Sequence, residues 1–168
     1  MRVLFLSLLI LPFFSFAQEC KLKKEKDEFT QQPKLSTGFM KFAHEKGGLS
    51  LNMVADAKEV KLLFSFGQGI CFDDQSTAVF SFDSTRTKSS QRNSTAMNCD
   101  GIFTIIFRNS TTTPGALQKM STHFVSSITV TGTAKQKMEI LLTQEQKNQL
   151  RQKATCLINE SKALIKPS

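Results

Sequence analysis

The 168-residue chain has no tryptophan and no tyrosine, and only two histidines, four prolines and four cysteines. Each scarcity narrows its chemistry. Tryptophan and tyrosine combine a flat apolar face with a polar edge, so their absence argues against glycan binding. His44 and His123 are the only imidazoles available for acid–base work. No two cysteines stand as C-x-x-C, and only those two histidines could complete a ligand set, so the spacing of a structural zinc site is missing. Internal repeats at solenoid or propeller periods are missing too. No cofactor motif or catalytic constellation stands out, and the expectation is a chain with no cofactor, no metal and no catalytic residue to name.

Long apolar runs are also scarce, with one exception at the N-terminus. After Met1 and Arg2, an apolar stretch from Val3 to Phe14 is interrupted only by Ser7 and Pro12, and Ser15-Phe16-Ala17 ends it as small-x-small. These are the three parts of a cleavable secretory signal, and the pattern predicts cleavage between Ala17 and Gln18. A membrane-spanning helix needs about 20 apolar residues, and Glu19, Lys21, Lys23 and Lys24 follow too soon. Cys20 raises the alternative of a lipid anchor. Lipidation requires a small residue immediately before the cysteine, and Glu19 is not one.

Cleavage after Ala17 leaves 151 residues, enough for a single core, and removes one cation. The remainder holds 21 basic against 14 acidic residues. The plain reading is a soluble basic surface; the alternative is attraction to an anionic envelope component or other anionic partner such as lipopolysaccharide, an acidic glycan or nucleic acid, and a protein partner stays open. The cations are scattered; Lys21, Lys23, Lys24 and Lys26 cluster, but alternate with Glu25, Asp27 and Glu28. The expected destination is the periplasm or the extracellular space, with no membrane-spanning segment in the mature chain.

What is abundant is alternation. Leu49, Leu51, Met53 and Ala55 form one period-2 set, and Val60, Leu62, Phe64 and Phe66 the next, with Asp56–Glu59 as the turn between them. Ala78, Phe80 and Phe82 make a third set, and Phe103, Ile105 and Phe107 a fourth. Phe124, Ile128 and Val130 make a looser fifth, and Met138, Ile140 and Leu142 a sixth. Side chains two apart share a strand face, so these sets predict half-buried antiparallel strands. Gly47-Gly48 suits a hairpin joining Phe39–Phe42 to the Leu49 strand, and Pro114-Gly115 marks a turn. Two segments rich in Ser, Thr and Asn, 84–98 and 109–113, read as exposed loops or edge extensions.

The period changes at the end. Leu150, Ala154, Leu157, Ile158, Ser161, Leu164 and Ile165 follow helical spacing. Thr143 and Gln146 form a capping box, so an amphipathic helix is expected over about 143–166. The predicted fold is mainly β (α+β): an antiparallel β-sandwich-like domain or curved sheet over 18–168, with that C-terminal helix packed on one side.

Four cysteines in an exported chain favour two disulfides, and three pairings are possible. At 100° per residue, Cys156 lies about 140° from the centre of the helix's apolar stripe. It therefore faces away from the core, within reach of a segment strapped over the helix. The polar stretch around Cys20 suits that role, which favours Cys20–Cys156 and Cys71–Cys99.

The order Ser121-Thr122, Ile128-Thr129-Val130, Met138-Glu139, Leu142-Thr143-Gln144-Glu145-Gln146 and Cys156-Leu157 resembles small secreted proteins of Bacteroidota. Asn98-Cys99-Asp100-Gly101 and the early Cys20 are similar too. The resemblance implies a periplasmic or secreted domain of unknown function and brings no catalytic residues.

Site candidates each have a plainer reading. Asp73, Asp74, Asp83 and Asp100 could converge near Cys71 and Cys99 for acid–base or calcium chemistry, but Asp100-Gly101 is already explained as a turn. The eleven phenylalanines of the mature chain could stack on bases, yet most fill the alternating core slots, which argues against nucleic acid. Asn93, Asn109 and Asn159 head N-x-S/T triplets, and Asp83-Ser84-Thr85 resembles a short O-glycosylation motif. The functional expectation is an exported, non-catalytic binding or scaffold module; a hydrolase with an Asp- or His-based site and a small secreted inhibitor are the alternatives.

Overall fold

A computed structural model of the chain describes residues 20–42, 48–67, 69–83 and 86–165. The cleavage position at Ala17 and Gln18, together with His44, Gly47, Ser84 and Thr85, lies outside the described residues.

The chain order is β1 (Lys23–Lys26), β2 (Pro33–Ser36), β3 (Met40–Phe42), β4 (Leu49–Ala55), β5 (Glu59–Ser65), β6 (Thr77–Phe82), β7 (Lys88–Arg92) and β8 (Ile102–Arg108). Helix α1 (Gly115–Thr122), β9 (Val125–Thr131), β10 (Lys137–Leu141) and α2 (Gln144–Ser161) follow. The strands form two antiparallel sheets. The first runs β1-β2-β4-β5-β8, with β3 also paired to β4; the second runs β10-β9-β6-β7.

Alternation becomes burial here. In β4 the set Leu49, Leu51, Met53 and Ala55 is buried, while Ser50, Asn52 and Val54 between them are half-buried. The β4–β5 turn is made by Asp56, whose Oδ1 accepts from the backbone amides of Lys58 (2.7 Å) and Glu59 (2.8 Å). Register places Phe64 opposite Phe103 within the first sheet. Phe64 also meets Phe80 of the second sheet, ring centroids 6.1 Å apart. The two sheets thus share one core, a β-sandwich.

Helix α2 packs against β2 and β4 of the first sheet and β9 of the second. Its capping box forms as expected: Thr143 Oγ1 accepts from Gln146 N, and Gln146 Oε1 accepts from Thr143 N at 2.9 Å. The helix is shorter than the spacing suggested. It ends at Ser161 and continues only as a 3₁₀ turn, Lys162–Leu164. At that end the Asn109 amide donates to the Ser161 carbonyl at 3.0 Å, a tertiary bond that helical periodicity does not record.

Two features differ from the expectation. Residues 115–122, where Pro114-Gly115 suggested only a turn, form α1; it buries Leu117 and Met120 and packs on α2. Eight residues with two buried positions are too short for a helical period to stand out. The charged segment after Cys20 becomes strand β1, all four of its residues exposed. It is held there by pairing with β2 rather than by an apolar face.

The link from β7 to β8 shields a sheet edge. Ser94 N donates to Thr104 O (2.7 Å), Thr104 N to Asn93 Oδ1 (2.9 Å) and Ile106 N to Ser94 Oγ (3.2 Å). Those bonds cover the outer backbone of β8, which would otherwise offer a template for another strand.

Candidate functional site

The structure carries the disulfides Cys20–Cys156 and Cys71–Cys99, with sequence separations of 136 and 28. Cys156 lies on α2 outside the apolar core cluster, yet is only 6% exposed, because the N-terminal strap covers it. Lys153 Nζ adds a bond to the Lys21 carbonyl at 2.8 Å, fastening the same strap. The second disulfide sits beside the Phe72–Asn98 bridge. There the chain is packed so closely that a Cβ on Gly132 would come within 2.7 Å of the Cys71 carbonyl oxygen. Gly101, at φ +72°, makes a similar approach to the carbonyl of Gly67.

The aspartates do not converge. Asp73 and Asp83 flank opposite ends of β6, which alone spans about 17 Å. Asp83 instead pairs with Lys147 at 2.8 Å, joining the end of β6 to the start of α2. Asp74 and Asp100 are exposed. Asp73 folds its own turn, its Oδ1 accepting from the Ser76 hydroxyl (2.7 Å) and from the amides of Ser76 and Gln75. Among the described residues no three His, Cys, Asp or Glu side chains are grouped to hold a metal.

The Ser76 hydroxyl and those amides hold the Asp73 carboxyl below the ordinary aspartate value. A lowered folded pKa means that this turn's contribution to stability is present above the ordinary aspartate range. It is lost as pH falls through the folded value. In a carboxyl-carbon NMR titration Asp73 should titrate below the ordinary aspartate value, and Ser76→Ala should move it back up. A midpoint unaffected by Ser76→Ala would contradict this assignment.

His123 is half-buried between α1 and β9, its Nδ1 2.8 Å from the Thr122 hydroxyl and its ring edge-on to Phe82. Of the three N-x-S/T asparagines, two are structural. Asn93 is 5% exposed and donates to the carbonyls of Asp73 and Thr95, while its Oδ1 accepts from the Thr104 amide and the Thr95 hydroxyl. Asn109 is 8% exposed and donates to the carbonyls of Asp56 and Ser161. Neither amide nitrogen is available to a sugar; Asn159 alone is exposed. Replacing Asn93 by alanine strands the Thr104 amide, and a buried polar group left without a partner costs about 1–3 kcal/mol. Chemical denaturation should show a loss of about 2–3 kcal/mol for Asn93→Ala, against little change for Asn159→Ala.

The polar halves of the alternating sets lead elsewhere. Register in the second sheet aligns three rows across its outer face: Lys137, Thr131, Thr77 and Arg92; Glu139, Thr129, Val79 and Ser90; Leu141, Ser127, Ser81 and Lys88. Six hydroxyls occupy this face, five of them half-buried or exposed and the sixth, Ser127, only 5% exposed. Among the described residues, none of those hydroxyls, and none of Lys88, Arg92 and Lys137, makes a side-chain hydrogen bond or ion pair within the protein. Asp27 and Asp56, in a surface groove of about 490 Å³ with Lys34, Lys58 and Lys61, are already engaged by the turns they form. Sequence reasoning missed this face because each strand's outward residues look like ordinary solvated positions until strand order places them side by side.

No protein-family model, no curated protein and no solved structure matches the chain.

Proposed function

We propose that this chain is an exported, non-catalytic binding module that works through the outer face of its second sheet. The observation that carries the reading is the registered grid of uncommitted hydroxyls bordered by Lys88, Arg92 and Lys137. Elsewhere polar groups such as Asp73, Asp83, Asn93 and Asn109 are spent on the protein's own turns and joints. Export is supported by the Arg2–Ala17 pattern and by two disulfides, which persist in oxidising compartments. No helix of the described residues is long and apolar enough to cross a membrane. The Cys20 and Cys156 side chains, which the staple occupies, support a protein-bonded rather than a lipid-bonded cysteine.

The test is retention of the tagged exported chain on the source cell's envelope fraction, compared with Val79→Asp/Thr129→Asp, two changes confined to the middle row. Retention of the wild type and loss by a variant of unchanged far-UV circular dichroism supports the reading. Equal retention by both puts binding elsewhere and overturns it.

A second reading, an inhibitor, is favoured by Phe29, 93% exposed at the tip of the β1–β2 hairpin. The tip is rigid: Asp27 Oδ1 accepts from the Phe29 and Thr30 amides and from the Thr30 hydroxyl. An exposed ring on a hydrogen-bonded turn is an anchor whose backbone costs little further entropy to order in a partner's pocket. Retention lost by Phe29→Ala but kept by the sheet variant would favour this reading.

A further inference from the structure

We infer that the ligand of this face is an acidic polysaccharide, a conclusion that rests on the binding reading above. The sheet has cations at three of its four corners. Arg92 and Lys137 end one row, three strand spacings or about 14 Å apart, and Lys88 lies four residues along β7 from Arg92, about 13 Å away. The exposed Arg86 and Lys135 flank the same corners, and Glu139 is the one acid within the rows. The face is therefore complementary to negative charges spaced along a chain, not to a single compact anion.

Between the cations lie groups that both donate and accept. Each row holds two such hydroxyls, Thr131 and Thr77, Thr129 and Ser90, and Ser127 and Ser81, of which Ser127 is buried at 5% exposure. A hydroxyl can give and take a hydrogen bond, which matches the hydroxyls of a sugar chain. Other polyanions fit less well. Single-stranded nucleic acid is held by aromatic platforms, and this face has no aromatic ring. Anionic lipid surfaces are held by an apolar set that enters the interface, whereas here only Leu141 and Val79 are apolar. The missing tryptophan and tyrosine then become consistent with the ligand class. Without rings to stack on, a neutral glycan has no purchase, and recognition has to come from charge and hydroxyls.

The experiment measures binding of the full exported chain to polygalacturonate, neutral dextran, polyglutamate, poly-dT and phosphatidylglycerol vesicles. Polygalacturonate should bind, weakening as salt rises, and dextran should not. Lys88→Glu/Arg92→Glu/Lys137→Glu should weaken polygalacturonate by about tenfold or more, three exposed charge contacts being lost. The same charge change placed on β1, Lys23→Glu/Lys24→Glu/Lys26→Glu, should alter it less than about twofold, since those side chains lie on the other sheet. Thr77→Val/Thr129→Val/Thr131→Val keeps shape and charge but should erase the preference for polygalacturonate over polyglutamate. Equal losses from the two charge-reversed variants would reduce the effect to net charge and overturn the inference. So would stronger binding of poly-dT or vesicles through the same face. If envelope retention still depends on Val79 and Thr129 while polygalacturonate fails to bind, the ligand class is wrong and the binding reading stands. If retention is indifferent to that face, both fall.

Discussion

Removing the Cys20–Cys156 staple, as Cys20→Ser/Cys156→Ala, is expected to lower unfolding stability by up to about 5 kcal/mol. A crosslink acts chiefly by restricting the unfolded chain, and this one closes a loop spanning 136 residues of sequence. Removing Cys71–Cys99, with its separation of 28, is expected to cost up to about 3.5 kcal/mol by the same reasoning. The larger loss also has a location. The β1–β2 hairpin joins β4 through only two residue pairs, Leu35–Ala55 and Ser36–Val54. Without the staple, its ties include those pairs, the buried Leu35, the Ser36–Asn52 and Thr37–Met53 bonds, the packing of α2 on β2 and the Lys153–Lys21 bond. Hydrogen exchange should therefore show residues 21–36 losing protection well before β4 and β5. Urea unfolding of both variants measures the totals. A smaller loss from the longer loop than from the shorter would contradict the loop-length argument.

Phe64→Ala is expected to destabilise by about 3–5 kcal/mol, the usual cost of emptying a buried aromatic site. Phe64 is fully buried and stands where the sheets meet. Its ring lies 5.8 Å from Phe103 and 6.1 Å from Phe80; Phe103 continues to Phe72 at 5.4 Å, and Phe72 to Phe66 at 5.3 Å. This chain of rings crosses from one sheet to the other, so a cavity at Phe64 has few ways to collapse without moving a strand. Phe29→Ala makes the contrast: at 93% exposure the ring buries almost nothing, and stability should change by less than about 0.5 kcal/mol. Denaturation midpoints give both numbers. Similar losses for the two would show that Phe64 does not bridge the sheets as described.

How far the chain could be read depended on whether the information was local. Strands β4 and β5 were legible because one face of each is buried without a break, so Leu51 and Met53 alternate visibly with Asn52, and Val60 and Leu62 with Lys61. The start of α2 was legible because Thr143 and Gln146 cap it within a single turn. Strand β1 was not, since Lys23–Lys26 has no buried side and owes its conformation to β2. Helix α1 hid for a related reason: Leu117 and Met120 are too few to define a period, and α2 makes the helix worth forming.

The candidate site divides in the same way. The aspartates were visible as residues, but the backbone amides that engage Asp73 and the lysine that engages Asp83 come from folding. The sequence by itself determined the β-rich class, the capped helix and the phase that turns Cys156 away from the apolar stripe, because each rests on spacing within one segment. Only the tertiary structure decided that β6, β7, β9 and β10 lie side by side. Strand order and register depend on the packing of distant segments, and they alone bring Arg92, Thr77, Thr131 and Lys137 into one row.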